Sequence, residues 1–173
     1  MAGLMGAGLL ARGQGLGMAA FDGSPQEVRR SFWAAALSFP LFFALARIAG
    51  VDEPVSFPWL REALSFTITW VVFALMSERM ATVSGYGRNW PRFMSAWNWS
   101  NLIQYAVLLA ATIPGRFVPD VAEQIVSLVA VGYALWLEWF VTRQALGVPG
   151  PMAVLFVVLD VALGLFIHGL IGG

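Results

Sequence analysis

Five apolar runs separated by helix-breaking connectors constrain the fold of this chain more than any other feature. A helix needs roughly 20 apolar residues to cross about 30 Å of hydrocarbon, and each run is close to that length. The connectors are rich in proline and glycine, which favour turns, and none is long enough for a soluble domain. The sequence therefore predicts an all-α polytopic membrane protein, a bundle of five transmembrane helices over residues 31–51, 59–80, 93–113, 121–142 and 152–171.

Composition and charge narrow the class of protein. Hydrophobic residues make up 59% of the chain and charged residues only 12%, far from the composition of a soluble domain. The formal net charge is zero, so we expect the bilayer, not nucleic acid, to be the partner. With no cysteine and one histidine, thiolate zinc sites and iron–sulfur clusters are excluded. No cofactor is predicted.

The N-terminal region divides into two parts. Residues 1–23 carry many glycines and predict a flexible tail, although ordering against a partner is the alternative. At Ser24, a capping hydroxyl, a following proline and Glu27 form a helix start. We therefore expect a short N-terminal interfacial helix that leads into the first span, and a five-span membrane domain over residues 24–173.

The distribution of arginine predicts the orientation in the membrane. If the N-terminus is cytoplasmic, seven arginines lie on the inner side and three on the outer side. Cytoplasmic segments of membrane proteins carry an excess of positive charge. The sequence thus predicts a multi-pass protein of the bacterial inner membrane, with its N-terminus in the cytoplasm and its C-terminus in the periplasm.

Two carboxyl groups, Glu138 and Asp160, lie deep within predicted spans and away from their ends, where a charge costs roughly 2.5–3.5 kcal/mol. We expect the two helices to reach the inner boundary near Leu146 and Met152, and each acid lies eight residues from that point, about 12 Å deep at 1.5 Å per residue. Asn101 lies at the same depth, and Asn98 and Tyr105 share its helix face. These residues, with Gln104, form a predicted intramembrane polar cluster.

Three arginines are candidate charge partners for the acids. Arg143 follows Glu138 by five residues on the same helix, so the two side chains point about 140° apart and are poorly placed for an ion pair. Arg79 and Arg92 lie near the inner ends of spans two and three and could reach inward. If none does, we expect at least one carboxyl to be protonated. Three roles stay open for the cluster: hydrogen bonds that join helices, proton or ion passage, and exposure to a partner protein.

His168 and Arg47 form a second candidate site, at the outer ends of the fifth and first spans. A histidine in a membrane can ligate a chlorophyll-type pigment through its ring nitrogen. The alternative is an interfacial histidine that contacts water or a lipid headgroup.

The order of segments resembles the Yip-type five-span membrane family. The features that carry the resemblance are the capped first helix, Ser-Gly-Tyr-Gly at 84–87 and Gly-Val-Pro at 147–149. Phe-Asp-Gly-Ser-Pro at 21–25 and Arg-Arg-Ser-Phe at 29–32 resemble uncharacterised small alphaproteobacterial membrane proteins. The resemblance implies a five-helix domain without known catalytic residues, often found with other membrane components. The Asp-Leu-Tyr run of eukaryotic Yip-type proteins is absent, so a role with trafficking GTPases is not implied.

The sequence favours a role without catalysis. No nucleophile, base or metal site is assembled in the pattern, and the halves of the chain show no repeat of the kind found in many transporters. We therefore expect a scaffold or accessory subunit associated with other integral membrane proteins in a larger complex. The alternative is a small proton-, ion- or solute-conducting membrane protein that uses Glu138 and Asp160.

Overall fold

A computed structural model describes residues 2–48, 58–115 and 120–172, which form helices and turns without a strand. The predicted connector at 52–54 lies outside the described residues, as do residues 116–119 of the connector predicted at 114–119, whose Pro114 and Gly115 belong to a helix. Two short 3₁₀ helices occur at Gly15–Ala20 and Gly87–Asn89. The described α-helices are α1 (Ala2–Leu10), α2 (Pro25–Ile48), α3 (Pro58–Val83), α4 (Trp90–Gly115), α5 (Asp120–Leu146) and α6 (Gly150–Gly172).

The helices α2 to α6 coincide with the five apolar runs, so the all-α prediction is confirmed for the described residues. Four of them, α2, α3, α5 and α6, are long and apolar enough to cross a membrane. Their mean hydropathy rises from 1.3 for α3 to 2.5 for α6. These four helices suggest a multi-pass membrane protein. α4 is not among the four, although its 26 residues match the others in length.

The position of α4 explains why it differs in composition. α4 packs against α5, α2 and α1, and its residues 93–98 are all buried, which covers every side of the helix over more than one turn. A helix enclosed in this way is shielded from its surroundings by protein and can carry polar residues that find partners inside. Its lower hydropathy therefore follows from its central place in the bundle.

The start of α2 has the predicted capping structure. The Glu27 backbone N–H donates to Ser24 Oγ at 3.2 Å, and the Gly23 N–H donates to Glu27 Oε2 at 2.9 Å. The Ser24 N–H also donates to Asp22, which lowers the pKa of that carboxyl. From Pro25 the helix runs without interruption to Ile48, so the predicted interfacial helix is the first part of α2 and not a separate element.

Residues 2–20 differ from the predicted flexible tail. They form α1 and the first 3₁₀ helix, and Ala7 and Leu10 of α1 are fully buried in the core. Gly6 lies so close to the 3₁₀ helix that a Cβ there would be 2.5 Å from the Ala20 Cβ. The segment is ordered because glycine permits the two backbones to approach closely. The resulting packing offsets the loss of backbone conformational entropy, which was the basis for predicting a flexible tail.

Two hydrogen bonds fix this N-terminal segment to the bundle. The Tyr133 hydroxyl of α5 donates to the Ala11 carbonyl at 2.7 Å, and Arg92 Nη2 of α4 donates to the Met18 carbonyl at 2.9 Å. Both acceptors are backbone carbonyls near the ends of short helices, and the Met18 carbonyl also accepts the Phe21 N–H at 3.2 Å. The segment therefore covers one side of α4 and α5.

The helix bundle has two distinct ends. The Trp90 end holds the start of α4 and the last turn of α5, where the Asn89 Nδ2 donates to the Leu146 carbonyl at 2.8 Å. The opposite end, here called the Trp59 end, holds the start of α3 and the last turn of α2. Between them, stacked Phe73 and Trp97 lie in the core with ring centroids 4.3 Å apart.

Candidate functional site

Asn98 of α4 joins three helices at one buried point. Its Nδ2 donates to Ser31 Oγ of α2 at 2.7 Å, and its Oδ1 accepts a hydrogen bond from Trp70 Nε1 of α3 at 2.8 Å. The side chain is fully buried. Asn98 therefore acts as a link between helices and does not reach the two acids.

Gln104 makes a second link, between α4 and α5. Its Nε2 donates to the Ala134 carbonyl at 2.9 Å. An acceptor on the backbone of a neighbouring helix is typical of polar side chains that hold membrane helices together. Of the predicted cluster, then, Asn98 and Gln104 bind neighbouring helices and contact neither carboxyl.

The remaining four residues of the predicted cluster lie together. Glu138 is 4% exposed, and its Oε1 accepts a hydrogen bond from Trp97 Nε1 at 3.4 Å. Glu138 and Asp160 are close enough for their charges to repel, and Tyr105 is close enough to interact with both. Asn101 donates to the Trp97 carbonyl at 3.1 Å and lines the same cavity as Asp160 and Tyr105.

This cavity, here called the Asp160 cavity, has a volume of about 330 Å³. Its walls come mainly from α3, α4 and α6, and it extends from Asp160 toward His168 at the Trp59 end. Asp160 makes no hydrogen bond or ion pair with any other described residue. A carboxyl group that lines a cavity without a protein partner is available to a ligand, a proton or water.

The three arginines predicted as charge partners lie elsewhere. Arg79 is exposed, and its nearest acid is Glu78, at 3.9 Å. Arg92 binds the N-terminal segment through the Met18 carbonyl. Arg143 lies over the Trp139 ring, 5.5 Å from the ring centroid. None of the three contacts Glu138 or Asp160, because each is turned toward a nearer acceptor at the Trp90 end.

The second candidate site is only partly assembled. His168 is exposed and lies at the rim of the Asp160 cavity. Arg47 is exposed on the last turn of α2. A pigment or headgroup role for either residue stays a prediction.

A second cavity is lined by two acids that the sequence analysis did not predict to face inward. This Glu62 cavity has a volume of about 520 Å³ and is lined by Glu62 and Glu123. Glu62 is 3% exposed; its Oε1 lies 3.4 Å from Arg61 Nη2, and its Oε2 has no hydrogen-bond partner among the described residues. A signal existed: Glu62, Ser65 and Thr69 recur on one face of α3 at helical spacing.

The two cavities are neighbours. Phe42, Tyr105 and His168 line both of them. Together they form an acidic recess that begins among the helix ends at Glu62 and Glu123 and reaches Asp160. This recess therefore brings the carboxyl groups of Glu62, Glu123 and Asp160 to two adjoining cavities.

Comparison with known proteins gives no further information about the site. The chain matches no protein-family model, no curated protein and no solved structure.

Proposed function

We propose that this chain is a five-span integral protein of the bacterial inner membrane, with α4 as the fifth span. Four helices already meet the length and hydropathy that a span requires. α4 has the same length and lies between α2 and α5, so neighbouring helices would shield its polar side chains from lipid. The excess of arginine at the Trp90 end supports a cytoplasmic N-terminus.

A scaffold or accessory role fits the use of the buried polar groups. The observation that carries this proposal is the set of hydrogen bonds by which Asn98 and Gln104 join α4 to α2, α3 and α5. Such links fix the arrangement of helices and perform no chemistry. The outer faces of α5 and α6 are apolar and exposed, which suits contact with lipid and with other membrane proteins.

Mild extraction followed by native electrophoresis tests the accessory role. We expect the chain to comigrate with a larger assembly whose other components are identified by mass spectrometry. The control is a monomeric five-span protein of similar mass. Under the same conditions it should migrate as a monomer, which excludes nonspecific association in the detergent. Migration of this chain as a monomer at every detergent concentration would contradict the accessory role.

Passage of a proton, ion or small solute is the second candidate, because Asp160 lines a cavity without a protein partner. The test is a vesicle assay with a pH-sensitive dye enclosed, using the wild-type chain, Asp160→Asn and Glu78→Gln. Glu78 is an acid outside the cavity, so its variant is the control. Passage predicts a leak that Asp160→Asn abolishes and Glu78→Gln retains. A wild-type rate equal to that of empty vesicles would remove this candidate.

The relation to the Yip-type family stays a prediction. It rests on the order of segments and on short loop motifs of this chain. The helix boundaries agree with the predicted order of segments, which any five-helix serpentine would also satisfy.

A further inference from the structure

We propose that the Asp160 cavity binds a monovalent organic cation: an ammonium group carried on an apolar or aromatic body. Three features of the cavity lead to this ligand class: its aromatic walls, its single carboxyl group and the acidic cavity beside it. Binding is a separate claim from transport, since a ligand can occupy the cavity without crossing the membrane.

The aromatic walls form a continuous surface. Phe66 is the central ring, with centroids 5.2 Å from Phe42, 4.8 Å from Trp70 and 6.3 Å from Tyr105. Trp70 in turn lies 5.0 Å from Trp97. The face of an aromatic ring attracts a cation within about 6 Å of its centroid, most strongly when water is excluded. Five rings around one cavity are the kind of wall that holds an ammonium group.

The cavity is lined by one acid, and its one basic side chain among the described lining residues is His168 at the rim. Asp160 is the acid that lines it, and the described lining includes no arginine or lysine. Asp160 also has no hydrogen bond or ion pair with another described residue, and a second carboxyl group, that of Glu138, lies near it on α5. A carboxylate among apolar rings is costly unless it is neutralised, and a bound cation neutralises it.

The Glu62 cavity gives this site an acidic approach. Glu62 and Glu123 line it, and it shares three wall residues with the Asp160 cavity. Arg61 lies 3.4 Å from one oxygen of Glu62, so it offsets part of that charge, while the other oxygen is buried without a hydrogen bond. Acids along the walls of a cleft raise the local concentration of cations.

A divalent metal ion fits this cavity less well than an organic cation. Calcium takes six to eight oxygen ligands, and magnesium requires near-octahedral oxygen coordination. The described residues contain no group of three histidine, cysteine, aspartate or glutamate side chains able to hold one ion. A volume of about 330 Å³ is also far larger than a dehydrated ion requires and suits a small organic molecule.

Calorimetric titration of the full chain in phosphatidylglycerol nanodiscs tests the proposal, with benzyltrimethylammonium as the probe. We expect saturable binding that choline competes away and that neohexanol, the uncharged carbon isostere of choline, does not. Asp160→Asn should weaken binding of the probe roughly 30-fold, because a buried charge loses its partner. Phe42→Leu should weaken it about threefold to tenfold, because one aromatic face is removed.

Glu78→Gln is the matched control, because it removes the same charge at an exposed position beside Arg79. Its affinity should equal that of the wild type. Thermal unfolding of each variant shows whether a loss of binding comes from a loss of fold, and Phe42→Leu keeps the test valid if Asp160→Asn does not fold. Equal affinities for Asp160→Asn and Glu78→Gln in folded protein, or displacement of the probe by neohexanol, would overturn the proposal.

Lipid composition identifies the source of the cation. In nanodiscs that contain phosphatidylethanolamine, a lipid ammonium can occupy the cavity and should reduce the apparent affinity for the probe at least about tenfold. An unchanged affinity would assign the cavity to a free organic cation. Either result supports the ligand class, and the absence of saturable binding in both lipids would contradict it.

Discussion

The packing of the N-terminal segment makes a sharp prediction at two glycines of α1. A Cβ at Gly6 would lie 2.5 Å from the Ala20 Cβ and 2.8 Å from the Gly17 carbonyl oxygen, whereas a Cβ at Gly8 would meet nothing within 4 Å. Gly6→Ala and Gly8→Ala make the same chemical change at positions about 200° apart around α1. They therefore separate the effect of packing from the effect of helix propensity.

The magnitudes follow from these distances. Both groups facing Gly6 belong to the backbone or to a Cβ and cannot rotate away, so the overlap costs about 3 kcal/mol. Alanine gains up to about 1 kcal/mol over glycine within a helix. Gly6→Ala should thus weaken docking of the segment by about 2 kcal/mol, a roughly 30-fold change in the docked-to-undocked ratio. Gly8→Ala should leave docking unchanged or strengthen it by up to about 1 kcal/mol.

The chain contains no cysteine, so one introduced thiol reports on docking. Ala7 of α1 is fully buried, and Ala7→Cys can be placed in both backgrounds. When opening is fast relative to reaction, the rate of labelling by a water-soluble maleimide follows the undocked population. We expect the rate to be roughly 30-fold higher with Gly6→Ala than without it. Equal rates for the two glycine variants would refute the packing of the N-terminal segment described above.

Other contacts yield predictions of similar kind. Asn98→Leu should lower the free energy of unfolding in mixed micelles by roughly 3 kcal/mol, because the buried Trp70 N–H loses its acceptor. Gln104→Leu should cost about 1 kcal/mol in the same assay, while Gln144→Leu, at an exposed position of α5, should cost less than about 0.5 kcal/mol. Ser24→Ala should speed hydrogen exchange in the first turn of α2, as expected for a lost cap of about 1 kcal/mol.

The positions of the long helices could be predicted from the sequence, because apolar length and breaker residues act locally. The cap at Ser24 was predictable for the same reason, since its donor and acceptor are three residues apart. The closeness of Glu138 and Asp160 was also predictable, from counting residues along two adjacent helices. These features depend on short stretches of chain.

The remaining features depend on contacts between distant parts of the chain. Packing of α1 depends on Gly6 and Gly17 meeting within one hairpin, and glycine content alone favours a flexible segment. Arg92 binds the Met18 carbonyl, 74 positions away in sequence, a partner that no periodicity indicates. The Asp160 cavity needs α3, α4 and α6 to converge, and sequence gives the face of each helix but not its neighbour.

Cross-linking between α5 and α6 tests whether positions 138 and 160 face each other inside the bundle. Glu138→Cys combined with Asp160→Cys should be bridged by a short bismaleimide in native membranes, which intact mass detects as one linker joining two thiols. Glu138→Cys with Val158→Cys is the control, because Val158 is 55% exposed on another face of α6. The structure predicts a bridge between 138 and 160 and none between 138 and 158. Two separately attached linkers in the first pair, or a bridge in the second alone, would contradict it.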